Sequence, residues 1–518
     1  MAGLPGLTGL TANSLVSMRE LRELNEALRA NGGNLRKANV GYPGAAIDRD
    51  VGFSSPSGSE IAPLVPQSIQ NTLDSATFTM KHIVYWKNIP KVPVTSTLHE
   101  SNVINEHGAM DMDPFIAEGA GGTTSEASYE RKVVRVKYLA EKIELSDVAT
   151  MVGITGVDRS ALAQRTLDGT QALIGKLERN LFHADSQFNS LAFDGLYKQL
   201  VNPSYSSGIK TLGGAYSNGK TPNYTNSEGA ATSPQQLQEV LGSLLGQPNF
   251  SSPNMIMCEP RVYQSLVNIA TSFGRHDQLS VANSALTFGA KDLSISGPTG
   301  PVPVVPCPFL QYPEDPNTVA QGTAIASAPA EAAYGTPVVA AGGAASLFKS
   351  ADVGFYQYKF VPVSNTGIGA PVALANAVNV DAAGKKVTIT VDDDTLHGDT
   401  DTAVKYYRVY RSAKFAAAAD AESADGLATC KYIGTYPAAS GASDTVIVDL
   451  NQNKPGSSQV YVMQMDPSVM YWAQLLDFTR RPLAQQNTTI PFLLMMFGSL
   501  HVKVPTKCHV IDNVGFTL

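Results

Sequence analysis

Residues 471–514 read YWAQLLDFTRRPLAQQNTTIPFLLMMFGSLHVKVPTKCHVIDNV. Within them, an apolar block at 490–497 continues through Gly498 into an alternating segment at 500–504 and stops at Pro505. A continuous apolar run followed by period-two alternation is typical of strands that lie inside a sheet. The stretch therefore predicts a buried sheet that closes the fold, and it does not predict a reactive pocket.

Length and composition favour a large multidomain subunit. The chain has 518 residues, and domains of roughly 100 to 200 residues are usual, so we expect several packed units. Only 16% of the residues are charged, below the usual ~25%, as expected for a subunit that covers much of its surface. The net charge of −7 argues against specific nucleic-acid recognition, which needs a basic face.

The cysteines and the hydropathy predict a protein that is made and kept in the cytosol. Cys258, Cys307, Cys430 and Cys508 form no CxxC or other metal-type spacing, which fits a reducing compartment. The N-terminal residues lack the basic start and apolar core of a secretory signal. The longest apolar run, at 490–497, is far shorter than the ~20 residues of a membrane-spanning helix.

Motifs with a known catalytic mechanism are missing from the sequence. It contains no Gly-x-Ser-x-Gly elbow, HExxH pair or GxxxxGK[ST] loop, and its eight histidines form no HxH or HxxxH pair. A hard-cation site at His107, Asp111, Asp113 and Glu118 is conceivable, but their spacing fits no calcium loop and a solvated acidic loop explains them. We therefore expect no enzyme activity, no cofactor and no metal.

The first 80 residues predict an arm. Leucines and Met18 at spacings of three and four indicate an amphipathic helix over 13–31, which Gly32 and Gly33 end. The Gly-, Ser- and Pro-rich stretch to about Asp74 is typical of an extended segment that orders only against neighbours.

Two strands, at 82–94 and 131–145, enclose a long loop. Residues 92–130 contain no lysine or arginine but seven acids, and so long an irregular segment usually has a function. Basic groups flank the second strand and the closing sheet. Solvated strand faces explain these charges; alternatively, a basic cluster receives the acidic loop of a neighbouring subunit. The candidate contact residues are Glu106, Asp111, Asp113, Glu118, Arg131, Lys132, Arg480 and Arg481.

Further elements follow in order along the chain. Asp158 is a candidate cap for a long helix that ends near Ala184. The Ser233-Pro234-Gln235-Gln236 capping box begins a second helix. A buried strand at 255–258 and a helix at 260–270 come next, and the alanine-rich stretch 320–345 predicts a linker.

Short alternating strands then predict an antiparallel sandwich over about 353–455. The expected strands include 356–360, 387–391, 406–411, 431–436 and 445–450. The segments YQYKFVPVSNTGIGAP and YYRVYRS look like fibronectin type III or immunoglobulin-like strands.

The aromatic start at Tyr471, the Pro482-Leu483-Ala484 segment and the Phe-Gly-x-Leu-x-Val turn resemble the last strands of tailed-bacteriophage major capsid proteins. The resemblance implies an α+β chain with the Hong Kong 97-type fold and an inserted all-β sandwich. The implied division is an N-terminal arm at 1–80, an extended-loop β-hairpin at 81–145, a peripheral domain with a spine helix at 146–232, an axial domain with linker at 233–352, an immunoglobulin-like sandwich at 353–455, and closing strands at 456–518.

The resemblance also implies a function. Such subunits assemble as pentamers and hexamers into an icosahedral virion capsid around double-stranded DNA, which they contact weakly and non-specifically. Expected partners are further copies of the chain and scaffolding, portal and decoration proteins, with a host-surface glycan as a candidate ligand of the sandwich. Assembly is expected in the cytoplasm of the host bacterium, without a membrane.

Two alternatives remain open at the level of sequence. An encapsulin-like compartment shares the capsid fold and would contain a cargo enzyme. A secreted adhesin, glycan-binding protein or glycan-active enzyme would also use an immunoglobulin-like module, because fold alone does not determine function. That alternative predicts a signal sequence and a stable monomer.

Overall fold

The computed structural model describes residues 78–516, apart from 109–112, 114, 123, 125, 152–159, 204–206, 208–209, 213–223, 248, 273–292, 312–320, 323–328, 394–402, 440–442 and 486. The predicted helix at 13–31 and the arm after it lie outside the described residues. Everything below concerns the described part of the chain.

The described chain combines helices with many strands. The helices are α1 (Tyr85–Asn88), α2 (Asp147–Met151), α3 (Ala161–His183), α4 (Leu196–Leu200), α5 (Pro234–Leu245), α6 (Pro260–Ser272), α7 (Ala418–Glu422) and α8 (Ala424–Ala428). The strands of the first half are β1 (Lys91–Pro93), β2 (Leu98–Glu106), β3 (Ser128–Arg135), β4 (Lys137–Ser146), β5 (Val201–Pro203), β6 (Lys210–Leu212), β7 (Tyr224–Asn226), β8 (Met255–Cys258), β9 (Ser294–Gly297), β10 (Gly300–Pro306), β11 (Gln321–Gly322) and β12 (Val338–Ala341). The remaining strands are β13 (Gly354–Tyr356), β14 (Tyr358–Val363), β15 (Gly367–Ile368), β16 (Val372–Ala373), β17 (Val378–Val380), β18 (Lys385–Val391), β19 (Tyr406–Arg411), β20 (Lys431–Pro437), β21 (Thr445–Asp449), β22 (Ser458–Met463), β23 (Met470–Pro482), β24 (Thr489–Val502) and β25 (His509–Val514). The predicted α+β class is confirmed.

A four-stranded sheet in the order β1-β23-β24-β4 contains the closing stretch of the sequence. β24 pairs antiparallel with β23 on one side and with β4 on the other, so its apolar block lies inside the sheet as predicted. Trp472 is fully buried, and its ring lies over Gly498 so closely that a Cβ there would be 2.4 Å from Trp472 Cε2. The glycine of the Phe-Gly-x-Leu-x-Val turn therefore makes room for this indole.

The predicted strand at 82–94 is wrong. A 3₁₀ turn (Met80–His82), α1 and the short β1 occupy these residues. The cause lies far away on α3, where the buried carboxylate of Glu178 accepts hydrogen bonds from the backbone N–H groups of Val84 (2.9 Å), Tyr85 (2.6 Å) and Trp86 (2.8 Å). Three donors satisfied at a helix start outweigh the weak strand propensity of the segment.

The second predicted strand, 131–145, is two strands. β3 ends at Arg135 and pairs only with β2, whereas β4 begins at Lys137 and joins the four-stranded sheet. Val136 between them is buried and donates its N–H to Thr97 O at 2.9 Å. The alternation continues through this break, so the pattern alone did not reveal it.

The two long helices that were predicted are present. α3 begins after Ser160, whose hydroxyl accepts from Ala163 N at 3.3 Å, so Ser160 and not Asp158 caps it; Asp158 itself lies outside the described residues. α5 begins after Ser233, whose hydroxyl accepts from Gln236 N at 3.1 Å, as the capping box predicted.

A mixed sheet in the order β7-β25-β22-β8-β10-β9 forms the second layer. The predicted strand at 255–258 is β8, and it lies between β22 and β10. Leu237, Leu241 and Leu244 of α5 pack with the apolar side chains of this sheet in one core. The chain thus returns after the sandwich, through β22, to a sheet begun before it.

Two sheets that share one core form the sandwich. One contains β11-β15-β14-β19-β20 with β16 on β14, and the other contains β12-β18-β21. Phe360 and Tyr407 from the first sheet pack with Ile389 and Ile447 from the second.

The prediction that 320–345 is an unpacked linker is wrong, because two of the sandwich strands, β11 and β12, lie within it. β12 pairs with β18, and the ring of the buried Tyr334 stacks on Phe360 at 4.7 Å between centroids. Alanine is disfavoured in strands by propensity, but the pairing of β12 with β18 overrides that preference, so alanine content did not distinguish a linker from a strand.

The contact between Trp472 and Gly498 generates a stability prediction. Gly498→Ala places a Cβ inside the indole and should destabilise the fold by about 1–3 kcal/mol, as overpacked cores do. Urea unfolding followed by tryptophan fluorescence measures this directly, because Trp86 and Trp472 are the only tryptophans and pack edge to face at 5.4 Å.

Gly242→Ala is the matched control. Gly242 lies within α5, and nothing lies within 4 Å of an added Cβ, so this change should stabilise the chain by about 0.5–1 kcal/mol. Equal effects of the two substitutions would contradict the packing argument.

Candidate functional site

The hairpin, defined as β2, β3 and the chain between them, is a two-stranded ladder outside the larger sheets. Its strands pair antiparallel, with Ser101 opposite Lys132 and Ile104 opposite Tyr129. Successive side chains point to opposite faces of such a ladder. The hairpin therefore has one face toward the four-stranded sheet and one face toward solvent.

The outer face and the loop of the hairpin expose large apolar side chains. Phe115 is 87% exposed and Tyr129 is 71% exposed. Further exposed apolar side chains of the hairpin are Leu98, Ile104, Ile116 and Val133. Ile104 and Tyr129 are paired on the ladder, and neighbouring exposed apolar side chains are typical of surfaces used in interactions.

The inner face fixes the base of the hairpin to the four-stranded sheet through three polar contacts. His99 Nε2 lies 2.8 Å from the hydroxyl of Tyr471, and Ser101 Oγ lies 2.8 Å from His501 Nε2. The Lys132 ammonium donates to the backbone carbonyl of Lys503 at 2.6 Å. We call this set the latch: the side chains of His99, Ser101, Lys132, Tyr471 and His501.

The environment of the latch opposes positive charge. Burial lowers the pKa of Lys132 to about 8, against a smaller opposing effect of Glu130. Burial, with further contributions from His99, Lys132 and Lys503, lowers the pKa of His501 to about 4. At neutral pH His501 is therefore uncharged, while Lys132 keeps most of its charge.

The acidic contact candidates are exposed where the structure describes them. Glu106 ends β2, and Asp113 and Glu118 lie in the loop beyond it; Asp111 lies outside the described residues. Among the described residues, no ion pair joins any of these three acids to a basic candidate. They remain proposed inter-subunit contacts.

The basic candidates divide into two kinds. Arg131 is exposed and lies 3.3 Å from Glu100, a surface pair that contributes little stability. Lys132 is only 4% exposed, so neither the solvated strand face nor the exposed cluster that the sequence indicated describes it. Its side chain lies on the opposite face of the ladder from that of Arg131 and is part of the latch.

Arg480 and Arg481 lie on the exposed end of β23. The guanidinium of Arg480 stacks over the ring of Phe492, with 4.6 Å from Cζ to the ring centroid. Stacking of this kind holds the side chain in place while its charge stays accessible. Both arginines are therefore exposed charges on the surface of the described chain.

Sequence reasoning missed His99, Tyr471 and His501 as members of one site. Tyr471 and His501 lie opposite each other in the β23–β24 pair, and each reaches the hairpin from there. Their only signal in the sequence is a polar side chain within a strongly apolar stretch. The exposed Phe115 and Ile116 had a clearer signal, since both lie inside the acidic loop.

The described residues show no arrangement typical of catalysis. A cavity of about 120 Å³ lies between α4, β20 and β25, and Asp512 in its wall accepts hydrogen bonds from Tyr197 (3.1 Å) and Tyr224 (3.2 Å). Within the described ranges, no group of three or more His, Cys, Asp or Glu side chains is placed to hold a metal ion. The four cysteines are buried free thiols. None of the helices in this part of the chain is both long and apolar enough to cross a membrane.

No protein-family model matches the chain. It is 23% identical over 472 residues to the putative major capsid protein of Enterococcus phage phiEF24C, covering 90% of this chain and 93% of that protein. The chain is similar in sequence to phage proteins named major capsid protein. The major capsid protein of Staphylococcus phage S25-3 is 22% identical over 482 residues, covering 86% and 89% of the two chains.

Among solved structures, the capsid of an empty GTA particle matches with a TM-score of 0.41 and 10% identity, over 89% of this chain and 98% of that one.

The latch generates a pH prediction. The pKa of Lys132 is about 8 in the fold and about 10.4 in an unfolded chain, so the folded state binds fewer protons between these values. The contribution of Lys132 to stability therefore rises as pH increases from about 8 to 10.5. We expect Lys132→Met to remove this rise.

The measurement is the urea midpoint of wild type and Lys132→Met at pH 7, 8, 9 and 10. As pH rises, the urea midpoint of wild type should increase relative to that of Lys132→Met. Lys142→Met is the control, because Lys142 is an exposed lysine on β4 paired with Glu144. A constant difference between wild type and Lys132→Met would contradict the burial argument.

Proposed function

We propose that the chain is the major capsid protein of a tailed bacteriophage. It would assemble into pentamers and hexamers of an icosahedral shell around double-stranded DNA. The observation that carries the proposal is the hairpin, which is fixed at its base and exposes apolar side chains along its length. The similarity to proteins named major capsid protein over 86–90% of the chain supports it.

The order of elements supports a Hong Kong 97-type arrangement. In this proposal the hairpin is the extended loop, α3 is the spine helix beside the four-stranded sheet, and the mixed sheet with α5 and α6 is the axial domain. The sandwich, from β11 to β21, is an insertion between β10 and β22 of the mixed sheet. We therefore propose that the inserted immunoglobulin-like domain begins at about 321, upstream of the boundary at 353 that the sequence suggested.

Burial of the hairpin against neighbouring subunits supplies the driving force for assembly in this proposal. Covering one exposed large apolar side chain contributes about 1.5–3 kcal/mol. A subunit that both gives a hairpin and receives one makes this contact twice. Shell assembly repeats it through a closed symmetric lattice, so modest contacts produce a stable particle.

The charge of the chain is consistent with a container for DNA. A net charge of −7 provides little attraction for phosphates, so packaged DNA would touch the shell weakly and without sequence preference. We further propose scaffolding, portal and decoration proteins as partners and a virion location after assembly in the host cytoplasm. A host-surface glycan is the proposed ligand of the sandwich. The protein would have a structural role and no catalytic one.

Two alternatives stay testable. An encapsulin-like shell would contain a cargo enzyme instead of DNA, and the relatives' names favour a phage shell. A secreted adhesin or glycan-binding protein would be a stable monomer. Particle content and oligomeric state separate the three.

The hairpin generates an assembly prediction. Phe115→Ser with Ile116→Ser removes apolar surface that is exposed in one chain, so the monomer should stay folded. A loss of at least about 1.5 kcal/mol per contact raises the concentration needed for assembly by about tenfold or more. Light scattering and negative-stain electron microscopy measure the threshold, with the full chain alone and with a candidate scaffolding protein.

Val338→Thr is the control, since Val338 on sandwich strand β12 is an apolar residue about as exposed as Ile116, at 60% against 57%. It should leave the assembly threshold unchanged. A wild-type chain that stays monomeric under both conditions would overturn the capsid proposal, and equal thresholds for all three proteins would overturn the role of the hairpin.

The exposed charges generate a second assembly prediction. Arg480→Glu with Arg481→Glu should weaken assembly if these arginines receive the acidic loop of a neighbour. Adding Glu106→Lys and Glu118→Lys should restore assembly, because the attraction returns with its signs exchanged. A quadruple variant that assembles no better than the arginine double variant would rule out this pairing.

A further inference from the structure

We infer that the latch is sensitive to protonation. It holds the base of the hairpin against the four-stranded sheet, and so fixes the direction of the hairpin, only while His501 is uncharged. The inference rests on the proposed function in one respect, namely that the hairpin is an arm used in assembly. The pH-dependent opening itself does not depend on assembly, because the contacts of the latch lie within one chain.

The three polar contacts that the structure describes at the hairpin base lie close together. Ser101 and Lys132 are opposite each other on the ladder, and Tyr471 and His501 are opposite each other in the β23–β24 pair. The latch therefore joins one cross-strand pair of the hairpin to one cross-strand pair of the four-stranded sheet. Around it, Val94, Val136 and Ala473 form a small apolar cluster at the point where the hairpin leaves the sheet.

The charged and titratable groups around His501 come from every element packed against it. On the hairpin these are His99, whose ring centroid is 6.4 Å from that of His501, and Lys132. On the sheet side they are Tyr471, at 5.3 Å between centroids, and Lys503. Glu130 also acts on Lys132, but its carboxylate already accepts from Asn105 Nδ2 at 3.0 Å.

A proton on His501 would thus add a positive charge between two lysines and a second imidazole in a mostly buried site. The unfavourable energy disappears when the hairpin base separates from the sheet, because His501 and Lys132 then regain water. After this separation, the apolar cluster of Val94, Val136 and Ala473 is the hinge about which the hairpin turns. The hairpin would then change its direction while remaining attached through β4.

The direction of the pH effect follows from linkage. The pKa of His501 is about 4 in the latched state, and an accessible histidine titrates near 6.5. Between these values the open state binds more protons, so acid favours opening, by up to about tenfold per pH unit. Above about pH 6.5 protonation of His501 no longer favours opening, and below about pH 4 its effect is complete.

Hydrogen–deuterium exchange of the full chain tests the inference. A two-stranded ladder is marginally stable without a surface to pack on, so opening should deprotect peptides within 98–106 and 128–135. After correction for the intrinsic rate, we expect their protection in wild type to fall by up to about tenfold per unit between pH 6.5 and 4.5. His501→Gln, which keeps a hydrogen-bonding group and cannot be protonated, should show no such fall.

His509→Gln is the matched control. His509 is also buried and also has a pKa lowered to about 4, but it lies in the mixed sheet, where its Nε2 is 2.9 Å from Thr225 Oγ1. This variant should keep the wild-type pH dependence of the hairpin. Loss of the dependence in His509→Gln would overturn the assignment to His501.

A second variant keeps the test informative if His501→Gln does not fold. Lys132→Met removes one of the cations that oppose protonation, so the pKa of His501 should rise toward its ordinary value and the pH dependence should shrink. Unchanged pH dependence in both Lys132→Met and His501→Gln, or none in wild type, would overturn the latch. Wild-type assembly at pH 7.5 is scored separately, so failure to form shells would overturn the capsid proposal and leave the exchange result standing.

Discussion

The packing of Trp472 on Gly498 is the constraint on which the rest of the described fold depends. The indole is fully buried and meets Trp86 at 5.4 Å and Phe193 at 5.3 Å between ring centroids. Its backbone N–H donates to Pro90 O at 2.8 Å. Trp472 thus connects residues 86–90, the chain after α3 and the paired strands β23 and β24. A Cβ at position 498 would overlap the indole and weaken the packing that these three parts share.

The same strand pair also carries the candidate functional site, because neighbouring residues on a strand face opposite sides. On β23, Trp472 faces the core while Tyr471 faces the hairpin. On β24, Leu500 faces the core while His501 faces the hairpin. The stability of the core therefore fixes the position of the latch. A rigid sheet on one side and an exposed ladder on the other suit an arm that must reach a neighbour at a defined angle.

Local patterns predicted those elements whose cause is local. The closing strands, the Ser233 cap and the sandwich strands at 387–391 and 406–411 follow from alternation and capping within a few residues. The segment 82–94 was mispredicted because Glu178, more than 90 residues away, satisfies its N–H groups. The latch was missed because its hydrogen bonds join residues 372 and 400 positions apart. Nothing in a window of sequence reports such pairs, whereas the acidic loop of the hairpin was visible in composition alone.

The central claim is that the hairpin of one subunit lies on another. Cryo-electron microscopy of particles assembled from the full chain tests it most directly. The account predicts closed shells in which Phe115, Ile116 and Tyr129 are covered by an adjacent subunit while Ser101 and Lys132 stay against their own β24. Shells in which these apolar residues face solvent, or fold back onto their own chain, would contradict it.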